Sequence, residues 1–148
     1  MALKRIANTL GDDNLDEALK IKKELENNRN ILKDIVIQLS IKTKEKAEAE
    51  ENYRKAYSIA LHYLKMENKY PAALIVDLAK GKCHKEIKER ELVNLEYDLL
   101  LEKMRNVRLE INTLITLLSF EKEQMKLVWQ YNKTQQTYSI IRLELIQI

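Results

Sequence analysis

The chain has 148 residues, 33% of them charged and 45% hydrophobic, with two glycines, one proline, one cysteine and a formal net charge of +3. So few turn-formers exclude a fold of many short elements, and two glycines leave no material for a phosphate-cradling loop or a dinucleotide-binding turn. Acids and bases are interleaved, so the small net charge does not by itself point to nucleic acid.

A composition led by Glu, Lys, Leu and Ile predicts few, long helices in a single all-α domain over residues 1–148. Residues 3–10 read as a short amphipathic helix with Leu3, Ile6 and Leu10 on one side, stopped at Gly11. Asn14 follows as an N-cap, with Glu17 completing a capping-box arrangement.

From there a long helix is expected over 15–69. Its 3,4-spaced seam runs Ala18, Ile21, Leu25, Asn28, Leu32, Ile35, Leu39, Lys42, Lys46, Ala49, Tyr53, Ala56, Ala60 and Tyr63. Its middle, KTKEKAEAEE, is strongly helix-forming but poor in apolar groups, so propensity and Lys/Glu neighbours hold it more than burial does.

The stretch YPAALIVDLAKGK holds the only proline and one of the two glycines. Pro71 disfavours helix in the residue before it and suits the first position of a new one, which predicts a short helix over 71–80 ended by Gly81. Leu74, Ile75, Val76 and Leu78 make that helix too oily to stand alone in water. One reading packs it on a second apolar stripe, Leu92, Leu95 and Leu99, as a small three-helix head. The other leaves it exposed as a docking surface.

A second long helix is expected over 84–130, with the seam Val93, Tyr97, Leu100, Met104, Val107, Ile111, Leu114, Leu118, Glu121, Met125 and Val128. Two long helices joined by a short reversal make a coiled-coil-like antiparallel hairpin. With the turn centred near residue 75, facing positions sum to about 148 to 150. That arithmetic sets Asn28 against Glu121 as a register-fixing polar contact.

The tail, 131–148, fits a helix through Tyr138, Ile141, Leu145 and Ile148, and fits a strand through Ile141, Leu143 and Leu145; helix is the preferred reading. Leu101, Ile115 and Leu117 widen the main seam beyond what one neighbour covers, so the tail or a second copy of the chain completes the bundle.

No zinc spacing, nucleophile elbow or catalytic carboxylate pair stands out. Cys83, His84 and His62 are the nearest approach to a metal site, but adjacent ligands lack the usual gap and a fourth is missing. A hairpin offers no pocket in which perturbed groups converge, so the chain reads as non-enzymatic, with no cofactor and no small-molecule substrate.

Contacts with a partner are expected at the turn, through Tyr57, Lys65, Lys69, Tyr70, Leu74, Ile75, Lys80, Lys82, Lys85 and Lys88. The partner is a protein or, in the alternative reading, nucleic acid, whose phosphates the lysines would contact and whose bases the tyrosines would stack on. The opening MALKRIANTLGDDN holds no apolar core of a secretory signal, and nowhere do about 18 apolar residues run together. With a lone cysteine, this predicts a cytoplasmic protein without a membrane span.

The tyrosine-bearing NYRKAYSIALHYL, the reversal YPAALIVDLAKGK and the final TLLSFEKEQMK together resemble small helical-hairpin proteins encoded by phages and prophages of low-GC Gram-positive bacteria. The likeness covers about residues 15 to 126 and leaves YSIIRLELIQI outside it. It implies an accessory role near host replication, recombination or defence functions, and it supplies no site residues.

Overall fold

A computed structural model describes the backbone of residues 2–147 and the side chains of residues 13–147. The chain is all-α: a long helix α1 (Ala2–Glu67), a short helix α2 (Ala72–Lys82) and a long helix α3 (His84–Gln147), with no strand among the described residues. None of these helices is long and apolar enough to cross a membrane.

α1 passes through Gly11 and Asn14 without the break expected there. No described glycine has positive φ. A glycine inside a helix costs about 1 kcal/mol relative to alanine, which is less than the cost of nucleating a second helix beside it. The face expected of Leu3, Ile6 and Leu10 lies outside the described side chains.

At the other end, α3 continues to Gln147, so the tail is helical and the strand alternative does not form. Thr113, Thr116, Thr134, Thr137 and Ser139 each donate their hydroxyl to the carbonyl four residues back. That keeps β-branched and hydroxyl side chains compatible with so long a helix.

Two compact units divide the chain, one of Leu32–Asn106 and one of Met1–Ile31 with Val107–Ile148. In the first, the reversal occupies residues 68–71. Asn68 takes the left-handed conformation at φ 49°, which asparagine tolerates better than most residues, and Pro71 at φ −58° leads into α2. The Leu74 amide closes the first turn on the Pro71 carbonyl at 2.9 Å.

The helix does not stop at Gly81. It runs to Lys82, and α3 begins one residue later. Cys83, between them, keeps helical bonding: its N–H is shared by the Ala79 and Lys80 carbonyls, and its own carbonyl accepts from Ile87. α2 is therefore the first three turns of the returning limb.

This corrects the expected three-helix head. Leu92, Leu95 and Leu99 remain 53%, 57% and 57% exposed. α2 lies instead against the end of α1, where Ala60, Leu64, Ala79 and Cys83 are buried and Tyr57, Leu61 and Ile75 pack around them. Alanines at 60 and 79 allow close approach of the two backbones, and Leu64 fills the space beside them.

Gly81 thus sits in a helix it weakens, and a Cβ added there meets nothing within 4 Å. Gly81→Ala is expected to raise the unfolding free energy by about 0.5 to 1 kcal/mol, read as a higher urea midpoint; an unchanged or lower midpoint would contradict the helical placement of Gly81.

Further along the same unit the seam lysines reach across to the returning limb. Lys42 donates to Glu96 and to Glu45, Lys46 lies 4.7 Å over the Tyr97 ring, and Arg90 lies 4.1 Å over Tyr53 and 3.5 Å from Glu50. As α1 advances from 42 and 46 to 50 and 53, its partners on α3 recede from 96 and 97 to 90, so the limbs are antiparallel. Facing residue numbers sum to about 140, as a reversal at 68–71 requires. The apolar-poor middle of α1 is clamped by charge where burial is thin.

In the second unit Ile21, Leu25 and Leu114 form the core, with Ile111 and Leu118 packed against it. Ala18, Asn28 and Val107 are also buried.

Candidate interaction surface at the hairpin turn

Of the residues expected to meet a partner, Lys65, Lys69, Tyr70, Leu74, Lys80, Lys82, Lys85 and Lys88 are exposed. Two are not free. Tyr57 is half-buried and stacks on Tyr53 with ring centroids 5.8 Å apart, and Ile75 packs on the Ala60–Leu64–Ala79–Cys83 cluster. Both act as supports of the turn; exposed aromatic surface there comes from Tyr63 and Tyr70. Tyr63, expected in the seam, faces out because Leu64 takes its place.

No hydrogen bond joins Asn28 and Glu121 among the described residues. Asn28 is 8% exposed, while Glu121 Oε2 is buried without a hydrogen-bond partner, as is Asn94 Oδ1 in the other unit.

Cys83 is buried, and that burial, with the nearby Glu86 charge second, pushes its thiol above the usual range. Such a thiol is a packing group and a poor nucleophile. His84 is exposed, with Nδ1 3.2 Å from the Gly81 carbonyl. No three His, Cys, Asp or Glu side chains converge among the described residues.

Comparison with protein-family models, with curated proteins and with solved structures finds no match. The functional reading therefore rests on the surfaces of the chain itself.

Two features escape a reading of the sequence. The first is the charge clamp. Hydrogen bonds from Lys42 to Glu45, then to Glu96, hold its ammonium above the ordinary lysine value of 10.5. A raised folded value means that the contribution is fully present below the unfolded lysine value and is lost as pH rises through the folded one. Lys42→Met is expected to flatten the fall in melting temperature as pH rises above about 10, measured by circular dichroism; parallel curves would rule out the clamp.

The second is an open groove of about 380 Å³ in the unit of residues 1–31 and 107–148, floored by Ala18, Leu25, Leu118 and Met125 and edged by Lys22, Arg29 and Lys122 with Glu26. Its cations are separated by whole helical turns, so only the folded pair assembles them.

Proposed function

We propose that the chain is a non-enzymatic, coiled-coil interaction protein that self-associates and binds a protein partner. The observation that carries this reading is the apolar surface left uncovered. Leu127, Trp129, Tyr138, Ile140, Leu143, Leu145 and Ile146 of α3 are each more than half exposed. From 138 to 146 these residues point to every side of the helix, a pattern that calls for neighbours all round. A second copy supplies such neighbours. The resemblance of the sequence to phage and prophage hairpin proteins favours an accessory role, the partner being a host replication, recombination or defence factor.

Multi-angle light scattering over a hundredfold concentration range tests self-association. An oligomer that Leu143→Asp/Ile146→Asp converts to monomer is the expected result, and a wild-type monomer throughout would overturn it.

A second reading has its own observation: Lys65, Lys69, Lys80, Lys82, Lys85 and Lys88 are all exposed, with Tyr63 and Tyr70 among them. It makes the turn a nucleic-acid contact. A complex with single-stranded or duplex oligonucleotides that weakens steeply with salt would favour it; no retention at low salt would end it.

A further inference from the structure

The returning limb carries a second heptad seam that nothing in its own unit covers. Leu74 and Leu78 on α2, then Leu92, Leu95 and Leu99 on α3, follow one 3,4-spaced line, with Gly81, Lys85 and Lys88 at its intervening positions. All eight positions are exposed. The buried seam of the same limb, Ile75, Ala79 and Cys83 followed by half-buried Val93, Tyr97 and Leu100, faces α1. The limb thus presents two apolar edges and uses one.

We infer that the outer seam receives an amphipathic helix of a partner protein, with leucine-type anchors at both ends and two carboxylates at its centre. This rests on the partner-binding reading above and names the surface and the chemistry. The centre decides the occupant. Lys85 and Lys88 occupy consecutive seam positions and make no ion pair among the described residues. An apolar occupant would strand both ammonium groups, whereas a helix bearing Glu or Asp opposite them forms charge-assisted hydrogen bonds in a partly dried seam.

The same residues disfavour pairing of the seam with its own copy. Parallel and in register, Lys85 meets Lys85 and Lys88 meets Lys88. Antiparallel, the register that brings Leu74 to Leu99 and Leu78 to Leu95 brings Lys85 to Lys88 twice. Both arrangements stack like charges in the middle of the interface, a device that rejects self-pairing. The flanks add selectivity. Asp77, Glu91 and Asp98 border the seam on one side and Lys82, Glu89 and Glu96 on the other, Glu96 being engaged by Lys42. The preferred helix therefore carries basic residues beside its anchors and acidic ones at its centre.

The test uses the full chain and three synthetic helical peptides with identical leucine anchors and Lys/Arg flanks, differing only at the two central seam positions: Glu/Glu, Lys/Lys or Leu/Leu. Fluorescence anisotropy is expected to show the Glu/Glu peptide binding at least tenfold more tightly than the other two. Lys85→Glu/Lys88→Glu should reverse the order of Glu/Glu and Lys/Lys. Equal binding of the three, binding by none, or an order indifferent to the charge reversal would overturn the inference. Light scattering on Leu95→Asp separates the levels: an unchanged oligomer that no longer binds the Glu/Glu peptide supports the partner seam. A monomer would assign the seam to a second copy and overturn the inference while leaving self-association standing.

Discussion

Leu64→Ala is expected to lower the free energy of unfolding by about 3 kcal/mol, read as a fall in the urea midpoint at unchanged slope. Leu64 is 2% exposed and is the largest aliphatic side chain of the cluster that joins the end of α1 to α2. Removing it leaves a hole among Ala60, Ala79 and Cys83, three small residues that cannot expand to fill it, and the helix backbones are held apart by their own contacts. Leu92→Ala supplies the control. That leucine is exposed, so the change should stay within about 0.5 kcal/mol. Equal effects at the two positions would mean that α2 does not pack where described.

Ala79→Glu is expected to be more damaging still, by about 3 to 5 kcal/mol near neutral pH. Ala79 is 0% exposed and faces Ala60 and Leu64. A longer side chain overfills that contact, and its carboxylate is taken out of water with no cation in the cluster to meet it. The effect carries a pH signature. Burial raises the folded carboxyl value above the unfolded one, so the charge penalty is largest above the folded value, shrinks as pH falls through it, and is gone below about 4, where only the overfilling remains. Hydrogen exchange should show the amides of α2 unprotected while those of α1 near Ile35 keep their protection. Protection retained throughout α2 would contradict the described interface.

Much of this arrangement is written in the spacing of apolar residues. Ala18, Ile21, Leu25, Ile35, Ala49 and Ala60 fall on the first seam, Val107 and Leu114 on the second, and all are buried. The spacing fails at Tyr63 because a straight helix advances 3.6 residues per turn. A strict 3,4 alternation drifts, and the contact steps from Ala60 to Leu64.

Local stop signals are less informative. Gly11 and Gly81 are weak breakers whose cost a long cooperative helix absorbs, and the reversal is set by Asn68 and Pro71 alone. That moves the turn by several residues and, within residues 32–106, the pairing by about ten, so the arithmetic that set Asn28 against Glu121 started from a displaced centre. The charge clamp of Lys42, Glu96, Arg90 and Tyr53 depends on that pairing, so no local pattern can reveal it. The outer seam is visible in part, as Leu92, Leu95 and Leu99. Its continuation through Lys88 and Lys85 to Leu78 and Leu74 becomes legible only once α2 is seen to belong to the returning limb.

The limbs of residues 32–106 reverse at 68–71 and pair with numbers summing to about 140. Double electron–electron resonance on a Cys83→Ala background measures this pairing directly, with spin labels at Ala47→Cys paired with either Glu91→Cys or Glu102→Cys. All three positions are exposed, so the labels disturb no core contact. Positions 47 and 91 should lie nearly side by side, and 47 and 102 should be displaced along the helices by about 13 Å at about 1.5 Å per residue. A shorter distance from 47 to 102 than from 47 to 91 would move the turn back to residue 75 and dissolve both the clamp and the outer seam as described.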